Sequence, residues 1–125
     1  MQNKNDVKLH PKLTLQLFTS EKCFGPGVAL ILEKVKEHSS LRSAASEINM
    51  SYSKAWTIVK RAQKHLGFDL LVSKTGGADG GGATLTKEGE RLLSEFRQCE
   101  KELNEICALK YEEHFSFIKD ISKLE

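Results

Sequence analysis

One segment of the sequence places hydroxyl and basic side chains at the spacing that nucleic-acid recognition needs. The segment "SYSKAWTIVKRAQKHLG" runs from Ser51 to Gly67. Its small and apolar residues recur at helical spacing, which predicts a helix with one buried face. This inward row is Ala55, Val59, Ala62 and Leu66. The outward face carries Ser53, Lys54, Thr57, Lys60, Arg61 and Lys64, with Ser51 and Tyr52 at its start.

The residue types on this outward face fit the two kinds of contact that a DNA-binding helix makes. Short hydroxyls and an amine near the start of the helix can hydrogen-bond base edges in the major groove. Lysine and arginine side chains further along can bind phosphates. The alternative interpretation is an ordinary solvated face, and the neighbouring elements favour the DNA interpretation over it.

A glycine-rich stretch is the second feature that could do chemistry, since five of the seven residues from Gly76 to Gly82 are glycine. Three interpretations are open: a phosphate cradle, a flexible linker and the tip of a hairpin. A nucleotide-binding loop needs Lys and Ser/Thr directly after its last glycine, whereas "ATL" follows here. Short apolar runs flank the glycines on both sides, which argues against a linker. The sequence therefore predicts a hairpin over Phe68–Thr86.

The tip of such a hairpin can lie flat against a nucleic-acid backbone and donate N–H groups to phosphates. The candidate contacts at this tip are Lys74, Gly76 and Gly77. A long hairpin that touches no ligand is the alternative.

The remaining reactive side chains form no catalytic or metal-binding set. The histidines are scattered and share no ligand spacing: His10, His38, His65 and His114. The three cysteines are odd in number and lack metal-type spacing, so we expect Cys23, Cys99 and Cys107 to be reduced. The sequence predicts neither an enzyme nor a metal or cofactor site.

Helices and a strand must position these groups, and their pattern predicts a helix-turn-helix. Alternating leucines predict a strand within Lys12–Thr19, and an apolar face predicts a helix over Gly27–His38. A short second helix follows, with Ser40 as its N-cap and Asn49 in the left-handed conformation that ends it, and Ser51 caps the third. Two short helices joined by a tight turn are typical of a helix-turn-helix, and the hairpin that follows makes it winged.

A helix expected from about Lys87 carries apolar residues suited to pairing with a second copy. The first row, an a/d seam of two heptads, is Leu92, Phe96, Cys99, Leu103 and Ile106. The pattern slips at Lys110–Tyr111, which predicts a bend or a separate short helix there. The residues expected to mediate homodimerisation are Leu92, Phe96, Leu103, Ile106, Tyr111, Phe115 and Ile118. The alternative is that this tail folds back on its own body.

Composition fits a soluble globular protein, and the order of the expected elements predicts a mainly α fold with a small β wing. Of its 125 residues, 39% are hydrophobic and 29% charged. Residues 1–92 carry 14 Lys and Arg against 9 Asp and Glu, whereas residues 93–125 carry 5 against 8, so the body suits a polyanionic partner. Because no membrane span or signal peptide is recognisable, we expect a cytoplasmic protein. The expected organisation is a winged-helix DNA-binding domain over residues 12–91 and a helical dimerisation extension over 92–125.

Residues 25–93 closely resemble the N-terminal DNA-binding domain of the molybdate-responsive ModE regulators. The distinctive pieces are "MSYSKAW" at Met50–Trp56, the glycine-rich wing at 76–83 and "LTKEG" at 85–89. LysR-type regulators more widely share only a sparser skeleton, "AA…S…LG…LT..G". The resemblance implies winged-helix binding to double-stranded DNA and dimerisation.

The resemblance leaves the effector open. ModE regulators with a sensor carry a second domain that binds molybdate, and we expect no such domain in a chain of 125 residues. Three readings follow: no effector, sensing through a separate partner, or membership of a sensorless subset. The alternative function is a winged helix that binds another protein, which would need an apolar outer face on the third helix.

Overall fold

The computed structural model describes residues 8–74 and 82–122. It divides into two compact units, one over Leu15–Gln98 and one that joins the stretch before Leu15 to the residues from Cys99 onward. As predicted, the fold is mainly helical with small hairpins and a long C-terminal helix. The elements in chain order are β1 (Leu17–Phe18), β2 (Lys22–Phe24), α1 (Pro26–His38), α2 (Leu41–Glu47), α3 (Tyr52–Leu66), β3 (Leu71–Lys74), β4 (Gly82–Leu85), α4 (Lys87–Phe115) and α5 (Phe117–Ser122).

The N-terminal strand is much shorter than predicted, and the prediction over Lys12–Thr19 is wrong for most of its length. Only Leu17 and Phe18 form a strand, which pairs antiparallel with β2 and places Leu17 opposite Phe24. The leucines further back lie beyond the end of the three-residue β2, and Leu13 is 45% exposed. A strand needs a paired neighbour for its N–H and C=O groups, so alternation alone does not make one.

The three helices of the first unit begin and end where their capping residues allow. Pro26 occupies the first turn of α1, where its missing N–H is harmless. Ser40 caps α2 and Ser51 caps α3, each by accepting a hydrogen bond from the backbone N–H three residues on at 3.1 Å. Asn49 (φ 57°) turns the chain between α2 and α3, and Gly67 (φ 87°) ends α3. These predicted caps are confirmed.

The inward faces of these helices form the core of the first unit. From α3 the buried side chains are Ala55, Val59 and Ala62, whose small size allows close packing against α1 and α2. Trp56 lies at the edge of the core and packs against it. The largest fully buried side chains are Phe24, Ile31, Leu32, Val35, Val59 and Leu70.

The predicted hairpin is present as β3 and β4. They pair antiparallel over four residues each, in a register that places Leu71 opposite Leu85. α3 holds the hairpin through Gln63, whose side-chain oxygen accepts from the backbone N–H groups of Leu70 at 2.8 Å and Leu71 at 3.1 Å. The hairpin is therefore fixed to the helix that carries the candidate DNA contacts.

The start of α4 is locked onto β3 by Thr86 and Gly89. The Thr86 backbone N–H donates to the Leu70 carbonyl at 2.9 Å, and its hydroxyl donates to the Asp69 carbonyl at 2.6 Å. The same hydroxyl accepts from the Gly89 N–H at 2.9 Å and so acts as the helix cap. A Cβ at Gly89 would lie 2.5 Å from the Leu70 carbonyl oxygen, closer than any side chain can come. The "LTKEG" sequence thus combines a cap with a site of close backbone packing.

α4 is tied to the rest of the first unit by an ion pair and an aromatic contact. Arg97 donates from Nε to one oxygen of Glu33 at 2.7 Å and from Nη2 to the other at 2.8 Å, a bidentate pair between α4 and α1. The Phe96 ring is 3% exposed and meets the Phe24 ring edge to face at 5.0 Å. The prediction that Phe96 belongs to a dimerisation surface is therefore wrong, because the core buries it.

In the second unit α4 continues without a break to Phe115. The prediction of a bend or a separate short helix at Lys110–Tyr111 is wrong in position: α4 runs through both residues, because backbone hydrogen bonds do not depend on which face is apolar and neither residue breaks helices. The break falls at Ser116, after which α5 begins. Neither α4 nor any other helix in the described part of the chain is long and apolar enough to cross a membrane.

Replacing Gly89 with alanine should destabilise the first unit by about 1–3 kcal/mol, because the new methyl group would overlap the Leu70 carbonyl oxygen and the backbone would have to move. Gly27→Ala is the matched control. Nothing lies within 4 Å of a Cβ at Gly27, so this change should leave stability unchanged or raise it slightly. Urea unfolding compares both variants with wild type. Equal midpoints for Gly89→Ala and wild type would contradict the close contact.

The ion pair between Glu33 and Arg97 should make the stability of the first unit depend on pH in the acidic range. The Arg97 guanidinium holds the pKa of the Glu33 carboxyl below its ordinary value of 4.5. Because the folded-state pKa is lowered, the pair stabilises fully above the unfolded-state value, and its contribution is lost as the pH falls through the folded value. The two side chains are 34% and 35% exposed, so solvent screens the pair, and we expect Glu33→Gln to cost roughly 0.5–1 kcal/mol at neutral pH.

Urea unfolding of wild type and Glu33→Gln over a series of pH values measures this contribution. The difference between the two proteins should shrink as the pH falls below 4.5. A difference that stays constant from neutral to acidic pH would mean that the side chain acts through packing and not through its charge.

Candidate nucleic-acid interface

The outward side of α3 is a continuous exposed surface of polar and basic side chains. Ser51 fixes its start by accepting a hydrogen bond from the Lys54 N–H. The predicted contact residues are all exposed: Ser51, Tyr52, Ser53, Lys54, Thr57, Lys60, Arg61 and Lys64. The fold therefore brings the whole predicted set to the start and the open side of one helix.

Most basic groups on this surface have no carboxylate to neutralise them. Among the residues that the structure describes, Lys54, Lys60 and Lys64 form no ion pair, and the Lys60 ammonium lies 5.8 Å above the centre of the Trp56 ring. Both lysines of α1, by contrast, are paired with carboxylates, at 2.6 and 2.9 Å. The uncompensated positive charge of α3 would attract a polyanionic ligand.

Arg61 differs from the lysines because Glu21, in the turn between β1 and β2, lies beside it. The Glu21 carboxylate is 3.8 Å from Arg61 Nε and 3.8 Å from His65 Nε2. The other ring nitrogen of His65 is hydrogen-bonded to the Thr19 hydroxyl at 3.0 Å. A shallow groove on α3 is lined by Glu21, Thr57, Lys60, Arg61, Lys64 and His65. Sequence reasoning missed Glu21, because the pairing of β1 with β2 that brings it here was not predicted.

Tyr52, at the start of α3, is covered on one ring face by Arg42 of α2. The Arg42 guanidinium carbon lies 4.4 Å from the centre of the Tyr52 ring, a cation–π contact. Tyr52 remains 40% exposed, and Arg42 is exposed as well. Arg42 was not predicted as a site residue; an arginine ten positions before a tyrosine gives no local pattern that would reveal it.

The predicted contacts of the hairpin fall partly within the described residues. Lys74 is exposed at the end of β3. Gly76 and Gly77 lie outside the described residues.

The start of β4 is held against the end of α1. The Ala83 N–H donates to the Ser39 carbonyl at 3.0 Å. Ser39 itself is left-handed (φ 55°), which points its carbonyl away from the helix it ends. A Cβ at Gly82 would lie 2.8 Å from the same oxygen, so glycine is required there for close approach and not for flexibility.

A separate cluster of ionisable side chains joins α1 to α2. The Lys34 ammonium lies 2.6 Å from the Glu47 carboxylate and lowers the pKa of that carboxyl, to which His38 also contributes. Glu47 in turn raises the pKa of Lys34. Ligand atoms of Glu37, His38 and Glu47 lie within 4.8 Å of one another. Lys34 is also 3.3 Å from Glu37, so its positive charge already compensates both carboxylates of the cluster. The cluster is an ion-pair network.

The apolar side chains predicted for dimerisation differ in their exposure. In the first unit Leu92 is half-buried and Phe96 belongs to the core. The second unit has half-buried Leu103, Tyr111 and Ile118, of which Tyr111 donates its hydroxyl hydrogen bond to the Leu9 carbonyl at 3.1 Å. From Cys99 onward, the large apolar side chains that the second unit exposes are Ile106 (53%), Leu109 (68%), Phe115 (49%), Phe117 (53%) and Ile121 (73%). Leu109 and Phe117 were missed because neither belongs to the rows that the spacing picked out.

The folded elements that carry this surface match a known family of regulatory domains. Residues 29–90, from α1 through the hairpin to the start of α4, match the bacterial regulatory helix-turn-helix proteins of the lysR family. The match includes α2, α3 and the Thr86–Gly89 junction.

Individual relatives point to the same group of regulators. The chain is 34% identical over 96 residues to the transcriptional regulator ModE of Haemophilus influenzae (77% of this chain, 36% of that protein). It is 30% identical over 92 residues to the molybdenum-pterin-binding protein MopA of Rhodobacter capsulatus (74% and 34%). It is 29% identical over 86 residues to the DNA-binding transcriptional dual regulator ModE of Escherichia coli (68% and 33%). The chain thus spans about a third of the length of these relatives. Its residues 29–90 belong to the LysR-type family of bacterial regulatory helix-turn-helix domains, in a form similar to that of the ModE regulators.

Proposed function

We propose that the chain is a transcriptional regulator that binds duplex DNA sequence-selectively, with α3 in the major groove. The observation that carries the proposal is the exposed side of α3, where hydroxyls and unpaired lysines occupy the second helix of a LysR-type helix-turn-helix. In such motifs the second helix enters the major groove and the first crosses the backbone. The name of the Escherichia coli relative, a DNA-binding regulator, gives further support.

The position of each side chain along α3 suggests its role. The residues nearest the bases are those of the first turns: Ser51, Tyr52, Ser53, Lys54 and Thr57. Lys60, Arg61 and Lys64 follow on the open side and bind phosphates. Glu21 weakens the contribution of Arg61, because its carboxylate shares the charge of that guanidinium and is repelled by phosphate. Lys74, with Gly76 and Gly77, contacts the adjacent backbone.

A winged helix that binds another protein is the alternative, and the surface of α3 disfavours it. Such a module would place apolar side chains on the outer side of the helix. The apolar residues of α3 are instead buried or half-buried, apart from the Tyr52 ring that Arg42 covers. Selection of genomic fragments with the purified protein separates the two functions, because enrichment of a palindrome supports the regulator and no enrichment supports the alternative.

Dimerisation through the C-terminal extension completes the proposal. A single winged helix contacts few base pairs, and dimers place two recognition helices about 34–36 Å apart on successive major grooves. From Cys99 onward the second unit exposes five large apolar side chains, more than a surface facing only water needs. We propose that Ile106, Leu109 and Phe115 meet a second copy, together with Leu92, Leu103, Tyr111 and Ile118.

Substituting Lys54 and Lys64 separately should distinguish base contact from phosphate contact. Lys54→Ala should weaken binding to the selected duplex by about 1–3 kcal/mol and relax selectivity at one position of each half-site. Lys64→Ala should weaken all sequences alike and reduce the slope of log affinity against log salt by about one for each bound subunit. Fluorescence anisotropy at several salt concentrations, on the selected duplex and its single-base variants, measures both effects.

Lys36→Ala is the control for these substitutions, because Lys36 is paired with Glu90 on the α1 side of the unit. It should change neither selectivity nor the salt slope. If Lys54→Ala and Lys64→Ala both bind like wild type, the assignment of α3 to the major groove is wrong.

The dimer can be tested by placing charge on its proposed surface. Ile106→Asp combined with Leu109→Asp should give a monomer at micromolar concentration and much weaker binding to a palindrome, because two carboxylates would be buried between copies. Asn104→Asp adds the same charge at an exposed position of α4 that faces another side of the helix, and should leave the dimer intact. Sedimentation velocity reports the oligomeric state.

Point substitutions test the dimer better than truncation after Leu93 does. Such a truncation would also remove Phe96 and Arg97, which pack against Phe24 and pair with Glu33 in the first unit. A wild-type protein that sediments as a monomer would refute the pairing role of the extension.

A further inference from the structure

Arg42 and Tyr52 form a stacked pair at the point where α2 and α3 come together. Arg42 is the second residue of α2 and Tyr52 the first of α3, directly after the Ser51 cap. The guanidinium carbon lies 4.4 Å from the ring centre. The cation thus lies over the ring, and because Arg42 is exposed its N–H groups remain accessible to a ligand.

The charge of Arg42 is not neutralised in the part of the chain that the structure describes. No carboxylate there lies within ion-pair distance of it, unlike Arg61, Arg91 and Arg97, which have carboxylates at 3.8, 3.7 and 2.7 Å. Arg42 therefore combines three properties: an exposed position, a free positive charge and a side chain held by an aromatic ring.

We propose that Arg42 binds a backbone phosphate of DNA beside the bases that the start of α3 contacts, and that the Tyr52 ring holds the guanidinium in place for it. The inference rests on the proposed DNA-binding function and adds to it a residue outside α3. The ligand chemistry is a phosphodiester oxygen pair, which a planar guanidinium can bind through two parallel N–H···O bonds.

The stack explains why an arginine at this position can contribute more than a free surface lysine. A long side chain normally loses rotamer freedom when it binds, which opposes affinity. Stacking on Tyr52 restricts Arg42 before DNA arrives, so less freedom is lost in the complex. Since the first helix of a helix-turn-helix crosses the phosphate backbone, a side chain of α2 next to the start of α3 is well placed for this contact.

The test measures salt dependence on the duplex selected with the intact protein. Arg42→Ala should weaken binding on the order of tenfold for all sequences alike, and reduce the salt slope by about one for each bound subunit. Arg42→Lys should fall in between, since it keeps the charge but loses the fork and the stack. Arg91→Ala is the matched control: Arg91 is 82% exposed, lies on α4 and should leave the slope unchanged.

Substitutions of Tyr52 test whether the ring positions Arg42. Tyr52→Phe keeps the ring and should keep the wild-type salt slope. Tyr52→Leu should lower the slope, and adding Arg42→Ala to it should weaken binding much less than in the wild-type background, since the two residues act together. Urea unfolding of each variant checks that the fold is intact.

The results that overturn the inference are distinct from those that overturn the function. If Lys64→Ala lowers the salt slope but Arg42→Ala does not, DNA binding stands and the Arg42 contact is wrong. If Arg42→Ala relaxes selectivity at one base position instead of weakening all sequences alike, Arg42 contacts a base and the phosphate assignment is wrong. If the effects of Arg42→Ala and Tyr52→Leu simply add, the positioning role of Tyr52 is wrong. If no duplex is enriched at all, the proposed function fails and this contact fails with it.

Discussion

The close contact between Gly89 and the backbone of Leu70 is the constraint on which the first unit depends. Because a side chain at Gly89 would collide with the Leu70 carbonyl, only glycine lets α4 begin directly against β3. Thr86 secures the same junction by donating hydrogen bonds to the Asp69 and Leu70 carbonyls, just before β3, and by accepting one from the Gly89 N–H of α4. The backbone N–H of Leu70 also donates a hydrogen bond to the side-chain oxygen of Gln63 in α3. One short stretch of backbone therefore fixes the hairpin, the long helix and the candidate recognition helix with respect to one another.

Charge is distributed over this scaffold in two different ways. Where α1 meets α2 and α4, carboxylates and ammonium or guanidinium groups are paired, and the lowered pKa values of Glu33 and Glu47 reflect that pairing. Along the open side of α3 the lysines have no such partners among the described residues. Paired charges join elements of the fold, whereas unpaired charges on an ordered helix keep their full attraction for an outside anion. The contrast lies within one small unit, which is why overall net charge gives little hint of it.

Local chemistry explains which parts of the fold could be predicted from the sequence. Ser40, Ser51, Asn49 and Gly67 act on backbone groups only a few residues away, so their roles follow from residue type and position. The exposed side of α3 could be predicted equally well, because helical spacing places its alanines and its lysines on different faces. The glycine-rich hairpin followed from its flanks, whose short apolar runs require burial.

Features that depend on partners far along the chain were missed. The pairing of β1 with β2, the burial of Phe96 against Phe24 and the stacking of Arg42 on Tyr52 each join residues whose separation carries no periodic pattern. The apolar row that includes Phe96 does lie on a helix. Its spacing, however, does not show whether each side chain is covered by the core of its own chain or by another chain. The continuation of α4 through Tyr111 was missed for a related reason. A shift of the apolar face along a helix need not interrupt its backbone hydrogen bonds.

The attachment of β4 to Ser39 has a consequence for how the hairpin tolerates changes in its length. The bond from Ala83 to Ser39 and the narrow fit at Gly82 hold the start of β4, which pairs with the end of β3 at Lys74. Lengthening a loop whose ends are already fixed is inexpensive, since each doubling of its length costs only about 0.6 kcal/mol in closure entropy. A change in the number of residues that join Lys74 to Gly82 should therefore cost little stability, because the contacts of β3 and β4 fix both ends.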